Sequence, residues 1–322
     1  MSPLAAIVTP VHNGEAYLVE TMDAVQAQDY PNLIHIVLDN ASTDGTPSIL
    51  QRYAAAKVPV RVSRNATLLP LAKNWNAAVA LIPEHAKYFR ILCADDLIAP
   101  TFMSRVIDVA ERNPGVGVVG TLLHENDGPT VYSGLPLDRE VMGGPEAIGL
   151  YFRRQCWLPS LHAVYRCCEI VPGQSFFDED LVANDLAASL RVLTRSELGI
   201  VPADLAMTRL HANSVTTRVL DGEQRHYYEW LVLLQRYASA GLGEGAATAH
   251  LVSYRRRYLR QLVKWRLRGR RDLFTLHLKS LASLGMAPTI GHFADALLDW
   301  PLVRFGAREG WSGYPFDIVR DR

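Results

Sequence analysis

The chain has 322 residues, 49% of them hydrophobic, and its 33 lysines and arginines balance its 33 aspartates and glutamates. It contains no low-complexity tract and no repeat. This excludes repeat and low-complexity proteins and leaves a chain long enough for two domains with a substantial core. The balanced charge argues neither for nor against a nucleic-acid partner.

The cysteines and the first residues bear on where the protein works. The four cysteines show neither CxxC spacing nor a disulfide-rich pattern, which favours reduced thiols. The start "MSPLAAIVTP" lacks a basic n-region, so we expect no signal peptide. No apolar run approaches the roughly 18 residues that span a bilayer. We therefore expect a cytoplasmic protein and leave open a peripheral contact with the inner face of a membrane. The cysteines are Cys93, Cys156, Cys167 and Cys168.

Four short apolar segments in the first hundred residues are predicted to be strands. Segments with helical periodicity separate them: "EAYLVETMDAVQAQ", "GTPSILQRYAAA" and "LAKNWNAAVALI". Apolar runs that alternate with helices indicate βαβ units and a mostly parallel sheet, so the predicted fold class is α/β. The predicted strands are Leu4–Thr9, Leu33–Asp39, Val58–Ser63 and Tyr88–Cys93.

Polar loops follow three of these strands: "PVHNGE", "DNASTDGT" and "ADD". Because ligands bind beyond the carboxyl ends of parallel strands, the loops predict one concave polar site. Asp95 and Asp96 lie in the third loop, where helix capping is the alternative to a ligand site. The first turn has one glycine and no GxGxxG, and no GxxxxGK[ST] follows a strand. The sequence therefore favours neither a Rossmann dinucleotide site nor a P-loop.

The second half is less regular. Helices are predicted over Gly143–Gln155 and Asp178–Leu193, and a strand over Leu161–Arg166. A further strand, within "LAMTRLHANSVTTR", is predicted to end at His211, and almost everything beyond Val219 has helical periodicity. We place a domain boundary near residue 218, with an α/β domain over 1–218 and a helical C-terminal extension over 219–322.

The segment "IVTPVHNGEAYLVETMDAVQAQDYPNLIHIVLDNASTDGT" resembles the opening of a family 2 glycosyltransferase with the GT-A fold. "LAKNWNAAVAL", "FRILCADDLIAP", "FFDEDLVANDLAASLRV" and "RLHANSVTTR" continue the likeness in the family's order, over about residues 4–218. The resemblance implies a mostly parallel, Rossmann-like sheet flanked by helices. It also implies an inverting transfer from a nucleotide sugar, UDP-linked rather than GDP- or dTDP-linked, to an acceptor hydroxyl on a glycan, a lipid-linked molecule or another compound.

The resemblance also implies a donor site. Asp39 would meet the nucleobase edge and Lys73 the diphosphate. The alternatives are that Asp39 caps its own loop, that Lys73 is an ordinary exposed helix residue and that Asn13 fixes its loop. His12 stands where the family usually has Tyr. The residues that the resemblance assigns to the donor nucleotide are Pro10, His12, Asn13, Asp39, Lys73 and Asp95.

A departing nucleoside diphosphate needs charge stabilisation, which Mn²⁺ or Mg²⁺ supplies. The resemblance makes Asp96 the direct metal ligand, turns Asp95 toward the donor ribose or sugar, and lets His211 complete the metal shell through a ring nitrogen. A purely structural role for His211 is the alternative. Ala94 leaves A-D-D in place of a full D-x-D.

An inverting transfer needs one general base for the acceptor hydroxyl. The resemblance selects Asp185, within "ANDL", where Asn184 replaces the first acid of the family's pair. The nearby acids Asp178, Glu179 and Asp180 are predicted to form a solvated cluster at a helix start. The rival classes are a nucleotidyltransferase, which should carry a glycine-rich basic first loop, and a nucleotide-sugar-binding protein that performs no transfer.

A basic segment, Tyr254–Arg271, holds nine lysines and arginines and no acidic residue. If it is a helix, it can lie on anionic headgroups with its arginines outward and Trp265 at the interface. The alternative is a solvated helix that pairs with the acidic catalytic domain. Nucleic acid is a weaker option, because no stacking platform accompanies the charge. The sequence also leaves open whether the protein forms a homodimer.

Overall fold

The computed structural model describes residues 2–131, 134–211 and 222–305. The described residues of Met1–Tyr151 and Gln155–Leu210 form one compact unit, and those of Phe152–Arg154 and His211–Arg322 form a second. The domain boundary that we predicted near residue 218 lies outside the described residues, so it stays a prediction.

The first unit is built on one sheet. Its strands are β1 (Ala5–Val11), β2 (Leu33–Asp39), β3 (Val60–Arg64), β4 (Tyr88–Ile91), β5 (Leu97–Ile98), β6 (Val116–Glu125), β7 (Thr130–Val131), β8 (Val141–Gly143), β9 (Val164–Arg166) and β10 (Glu197–Thr208). Its helices are α1 (Leu18–Gln26), α2 (Thr46–Gln51), α3 (Leu71–Val79), α4 (Phe102–Arg112), α5 (Gly144–Phe152) and α6 (Asn184–Leu193), and a 3₁₀ turn spans Cys167–Glu169.

The sheet order is β3-β2-β1-β4-β9-β6-β10-β5, with β7 paired to β6 and β8 to β10. Strands β3, β2, β1 and β4 are parallel neighbours, and β6 is parallel to β10. β9 is antiparallel to both β4 and β6, and the short strands β5, β7 and β8 are also antiparallel. The prediction of a mostly parallel sheet flanked by helices is confirmed. The carboxyl ends of β1, β2 and β4 therefore meet at one edge.

Helices cover both faces of the parallel part. All seven residues of β1, "AAIVTPV", are buried, as expected for a strand covered on both sides. On one face α4 contributes Phe102, Met103 and Val106 to a core with Ile7. Helix α3 also contacts β1 and β2. On the same face as α4, because Ile7 and Val11 point to one side of β1, Leu18 and Met22 of α1 pack with Val11 and with residues of β2 and α2. Their spacing of four residues places them on one side of the helix. This packing fixes the strand ends on which the polar loops stand.

The second unit is helical, as predicted. Tyr227, Tyr258, Trp265 and His277 form a buried aromatic cluster, in which the Trp265 and His277 rings lie 4.7 Å apart. The suggestion that Trp265 lies at a membrane interface is therefore wrong, because this side chain fills the unit's own core. The helices are α7 (His226–Leu242), α8 (Glu244–Leu267), α9 (Arg271–Ser283) and α10 (Ile290–Arg304).

None of the helices within the described ranges combines the length and the apolar content that crossing a bilayer requires.

One imidazole lies in the centre of the sheet. His35 on β2 is fully buried, and its Nε2 shares a 2.9 Å hydrogen bond with Thr9 Oγ1 on β1. Its Nδ1 is buried without a hydrogen-bond partner among the described residues. Burial lowers the pKa of His35 from 6.5 to about 3, so the folded protein holds this ring neutral.

We predict that His35 makes the fold sensitive to acid. The folded pKa lies below the unfolded one, so the contribution is complete above pH 6.5 and is lost as the pH falls toward 3. Between pH 7 and pH 5 the loss should be about 2 kcal/mol of unfolding free energy. Glutamine does not titrate. In His35→Gln the unfolding free energy, measured with urea, should therefore fall less between pH 7 and pH 5 than in the wild type, by that amount. An equal difference in both proteins would contradict the prediction.

Candidate active site

Hydrogen bonds join the loops that follow β1 and β2. Asn13 donates its backbone N–H to Ser42 Oγ (2.9 Å), and its side-chain Oδ1 accepts from Thr43 N (2.8 Å). Gly14 N donates to Thr46 Oγ1 at 2.8 Å. Asn13 has φ of 51°, a left-handed conformation that Asn tolerates better than most residues. The contacts of Asn13 are those of a residue that fixes the loop, and its contact with a nucleotide stays a prediction.

Asp39 ends β2 at this edge of the sheet and is buried. Its Oδ1 accepts from Ser42 N at 2.9 Å, and its Oδ2 pairs with the Arg64 guanidinium, which also donates to Ser42 O at 2.7 Å. Nothing in the sequence pattern pointed to Arg64. Because it sits at the end of the neighbouring strand β3, it anchors the carboxylate that we predicted for the nucleobase.

The other predicted donor residues lie around the same loops. His12 is exposed and donates from Nδ1 to the carbonyl oxygen of Asn40 at 2.9 Å, which leaves Nε2 as an acceptor in the neutral ring. Pro10 is buried within β1. Lys73 is exposed on the first turn of α3. Their assignments to the donor stay predictions.

A cluster of potential metal ligands follows β4. Cys93, Asp95 and Asp96 each offer one ligand atom, and these atoms all lie within 4.8 Å of one another. Asp96 is only 2% exposed; its Oδ1 accepts from the backbone N–H of Arg209 at 2.9 Å. Its Oδ2 is buried, and no described group hydrogen-bonds to it. A buried carboxylate oxygen without a donor is costly, which makes it suited to hold a cation.

The pKa values of the groups in this cluster also favour a bound cation. Burial, and then the neighbouring charge of Asp95, raise the pKa of Asp96 to about 7. Burial, followed by the charges of Asp96, Asp95 and Asp185, raises the pKa of the Cys93 thiol well above its usual value. Ionising these groups would therefore gather negative charge that the surroundings do not fully compensate. The donor set of two carboxylates and a thiol fits a divalent cation, which would relieve the repulsion.

A buried network lies beside Asp96. Arg90 on β4 is fully buried over the Phe102 ring, with 4.4 Å from its Cζ to the ring centre, and its Nη2 donates to His162 Nδ1 at 3.1 Å. A guanidinium only donates, so Nδ1 must accept and Nε2 must carry the proton. That Nε2–H donates to Thr208 Oγ1 (2.8 Å) and lies 4.0 Å from Asp96 Oδ2. Burial and the Arg90 charge lower the pKa of His162 well below its usual range, so the ring is neutral.

Arg209 contacts both aspartates of the cluster, although it lies 113 positions after Asp96 in the chain. Besides its backbone contact to Asp96, its Nε donates to the carbonyl oxygen of Asp95 at 3.0 Å. Its guanidinium stacks over Tyr17, 4.6 Å from the ring centre, and pairs with Glu20 at 2.8 Å. Contacts to α1 thus fix the arginine that orients the two aspartates.

Asp185 lies on the first turn of α6. Its Oδ1 accepts from Leu186 N at 2.8 Å, and burial raises its pKa. The charge of Asp185 is also among the causes that raise the pKa of Cys93. A raised pKa is typical of a carboxylate that takes up protons near neutral pH. The sequence placed Asp185 in this region only through the resemblance.

The acids before Asp185 lie outside the helix. We predicted that Asp178, Glu179 and Asp180 start it, but α6 begins at Asn184. The Asn76 side chain of α3 makes two hydrogen bonds with the backbone of Phe177. Its Nδ2 donates to Phe177 O at 2.9 Å and its Oδ1 accepts from Phe177 N at 2.8 Å, so this segment is held against α3. The three acids therefore belong to a loop.

His211 is the last described residue before the gap at 212–221, and the preceding strand β10 ends at Thr208 rather than at His211. It belongs to the second unit, whereas Asp96 belongs to the first. Its role as a metal ligand stays a prediction.

Relatives with this sequence pattern are known. An uncharacterised glycosyltransferase of Haemophilus influenzae is 26% identical over 121 residues, which are 38% of this chain and 37% of the relative. The chain thus spans little more than a third of that relative's length.

Solved structures share the fold. S. aureus TarS, residues 1–349 in complex with UDP-GlcNAc, superposes with a TM-score of 0.67 at 15% identity, covering 88% of this chain and 82% of TarS. The mannosyltransferase PcManGT from Pyrobaculum calidifontis, in complex with GDP-Man and Mn²⁺, gives 0.58 at 16% identity, covering 94% and 81%. The model of the family described as Glycosyl transferase family 2 matches residues 6–171, which is half of the chain. The chain therefore belongs to glycosyl transferase family 2.

Proposed function

We propose that the protein moves a sugar from a nucleotide-sugar donor to an acceptor hydroxyl, with inversion at the anomeric carbon and with the help of a divalent cation. The observation that carries this proposal is the cluster of Cys93, Asp95 and Asp96, with its unsatisfied Asp96 oxygen. We further propose that residues 1–218 form the catalytic domain and 219–322 a helical extension.

Asp96 would hold the cation through Oδ2, with Asp95 beside it and His211 as the proposed additional ligand. A bound cation would stabilise the charge of the departing nucleoside diphosphate. We propose Mn²⁺ ahead of Mg²⁺ at these carboxylates. The Mn²⁺ complex of PcManGT supports this choice.

The proposed donor is a UDP-sugar, in line with the TarS complex, although the PcManGT complex contains GDP-Man. Asp39 would accept from an N–H of the base, held in place by Arg64. His12 has its Nδ1 engaged by a backbone carbonyl, so its Nε2 would meet the nucleotide. Lys73 would add a positive charge at the diphosphate.

Asp185 would take the proton from the acceptor hydroxyl. Its burial raises its pKa, which brings its proton affinity closer to neutral pH than that of an exposed aspartate. The attacking oxygen would approach the anomeric carbon from the face opposite the nucleotide, which produces inversion.

Thermal unfolding tests the donor and metal assignments together. At a hundred-fold excess over its dissociation constant, a ligand stabilises by about 2.7 kcal/mol, which for a chain of 322 residues is roughly 4 °C in Tm. We expect UDP with Mn²⁺ to produce such a shift and EDTA to remove it. A UDP shift that EDTA leaves unchanged would contradict the metal dependence, and no shift with UDP, GDP or dTDP would contradict the donor class. A panel of UDP-sugars, followed by donor hydrolysis, then identifies the sugar.

A further inference from the structure

Helices α8 and α10 of the second unit lie side by side and run in the same direction. Arg256 Nε pairs with Asp295 at 2.7 Å, Arg260 Nη1 with Asp299 at 3.3 Å, and Lys264 Nζ lies 5.9 Å from the centre of the Trp300 ring. Residue numbers thus increase together along both helices. Their carboxyl-terminal ends therefore lie at the same end of this unit.

That end exposes large apolar side chains. Leu267 at the end of α8 is 81% exposed, and Leu298 and Phe305 of α10 are 76% and 81% exposed. Leu298, Leu302 and Phe305 are spaced by four and three residues, so they share one side of the helix. Ala296 and Asp299, in contrast, are buried. We call the residues 264–272 and 297–305 together the helical tip.

Positive charge surrounds the apolar side chains of the helical tip. It contains six basic residues and two acidic ones, of which Asp299 is buried and pairs with Arg256 and Arg260, and Asp272 pairs with Arg270. All six basic side chains are exposed, and they are Lys264, Arg266, Arg268, Arg270, Arg271 and Arg304.

The amino-terminal part of the basic segment faces inward. Arg256 pairs with Asp295 and Asp299, and Arg257 lies over the Tyr227 ring, 5.2 Å from its centre. Arg260 is buried. These arginines hold the helical unit together, so a membrane contact spread over the whole of Tyr254–Arg271 does not fit the structure, whereas one confined to its last third does.

We propose that the helical tip binds the surface of an anionic phospholipid bilayer. Its leucines and Phe305 enter the headgroup region, and its lysine and arginines contact lipid phosphates. Apolar side chains ringed by basic ones are the pattern that interfacial segments use. A second copy of this chain fits less well, because an isologous contact would bring two sets of six positive charges together.

Vesicle co-sedimentation of the full chain tests the proposal. The wild type should sediment with phosphatidylcholine vesicles that contain phosphatidylglycerol, less so at high salt, and not with phosphatidylcholine alone. Each basic residue near an anionic surface contributes about a five-fold factor, so Arg266→Ser, Arg268→Ser and Arg271→Ser combined should weaken partitioning about 10²-fold. Leu298→Ser with Phe305→Ser should also weaken it. The matched control, Arg52→Ser, Arg61→Ser and Arg105→Ser combined, removes three exposed charges of the first unit and should sediment like the wild type.

All substituted side chains of the tip are exposed, so the melting temperatures should equal that of the wild type, and this is measured first. Equal sedimentation of the wild type and the tip variants, or no sedimentation of the wild type, would overturn the proposal. A wild-type dimer in sedimentation velocity that Leu298→Ser with Phe305→Ser converts to a monomer, without any vesicle binding, would assign the surface to a second copy of the chain.

Discussion

Replacing Asp96 with alanine is expected to abolish metal-dependent turnover of the nucleotide sugar while the protein stays folded. The substitution removes Oδ2, the buried oxygen that no described group satisfies, and with it the proposed direct ligand. Charge stabilisation by a metal contributes several kcal/mol to such a transition state, so the rate should fall about 10³-fold or more. Stability should change little, because burial and the charge of Asp95 disfavour the ionised carboxylate, and its removal offsets the loss of the hydrogen bond that Oδ1 accepts from Arg209 N.

Three measurements on one preparation check this: Mn²⁺ affinity by calorimetry, Tm with EDTA present, and donor hydrolysis. Asp108→Ala is a matched control, since Asp108 is an exposed aspartate of α4 whose partner, Arg112, lies one turn away. The control should keep the Mn²⁺ affinity and the rate of the wild type. Wild-type Mn²⁺ affinity in Asp96→Ala would refute the ligand assignment. A large drop in Tm would mean that Asp96 acts structurally.

Replacing Asp185 with asparagine is expected to leave donor binding intact and to destroy transfer. Asparagine keeps the oxygen that accepts from Leu186 N but cannot take up a proton at neutral pH. Loss of a general base typically costs about 10²–10⁴-fold in rate, and the loss should fall on kcat because proton transfer occurs in the transition state. The dissociation constant for UDP should not change.

The matched control is Asp180→Asn, an exposed carboxylate in the loop before α6. Measuring kcat, the UDP dissociation constant and Tm separates catalysis from structure, because a structural role would lower Tm and impair binding and rate together. An unchanged kcat in Asp185→Asn, with the loss found in Asp180→Asn, would move the base to Asp180.

The parallel half of the fold could be predicted well from the sequence. The predicted strand Leu33–Asp39 matches β2 residue for residue, and Val58–Ser63 is shifted by only one or two residues from β3. Strands buried on both faces have continuous apolar runs bounded by polar loops, and this signal is local. For the same reason the loops that carry Asp39, Asp95 and Asp96 were placed at one edge of the sheet.

The later strands depend on pairings that the local sequence does not encode. The last strand was predicted to start near Leu205, but β10 begins at Glu197 and continues past Pro202. The pairing with β6 shifts register between Val201 and Asp204, and this irregularity accommodates a proline that would otherwise argue against a strand. The ten-residue strand β6, "VGVVGTLLHE", begins with an apolar run that we did not assign to a strand.

The residues that support the site could not be predicted from the sequence, for a different reason. Arg90 and His162 are 72 positions apart in the chain. Nothing in the residues around Arg90, "YFRIL", indicates that its side chain is buried close enough to Asp96 to feel its charge. Cys93 adjoins the "ADD" loop and could have been considered as a ligand from its position alone. Asp185 could be chosen only through the family resemblance, because its neighbours in sequence offer the same chemistry.

The contact between the Arg209 backbone N–H and Asp96 Oδ1 joins residues 113 positions apart. The proposed cation site would therefore be complete only late in biosynthesis. A nascent chain that has emerged only as far as β6 already contains the complete "CADD" sequence, yet it lacks the strand end that supplies this donor. The two adjacent aspartates then repel each other without the backbone and guanidinium contacts of Arg209. Cation binding would therefore be a property of the finished sheet, and it would report completion of the first unit rather than folding of its amino-terminal βαβ units.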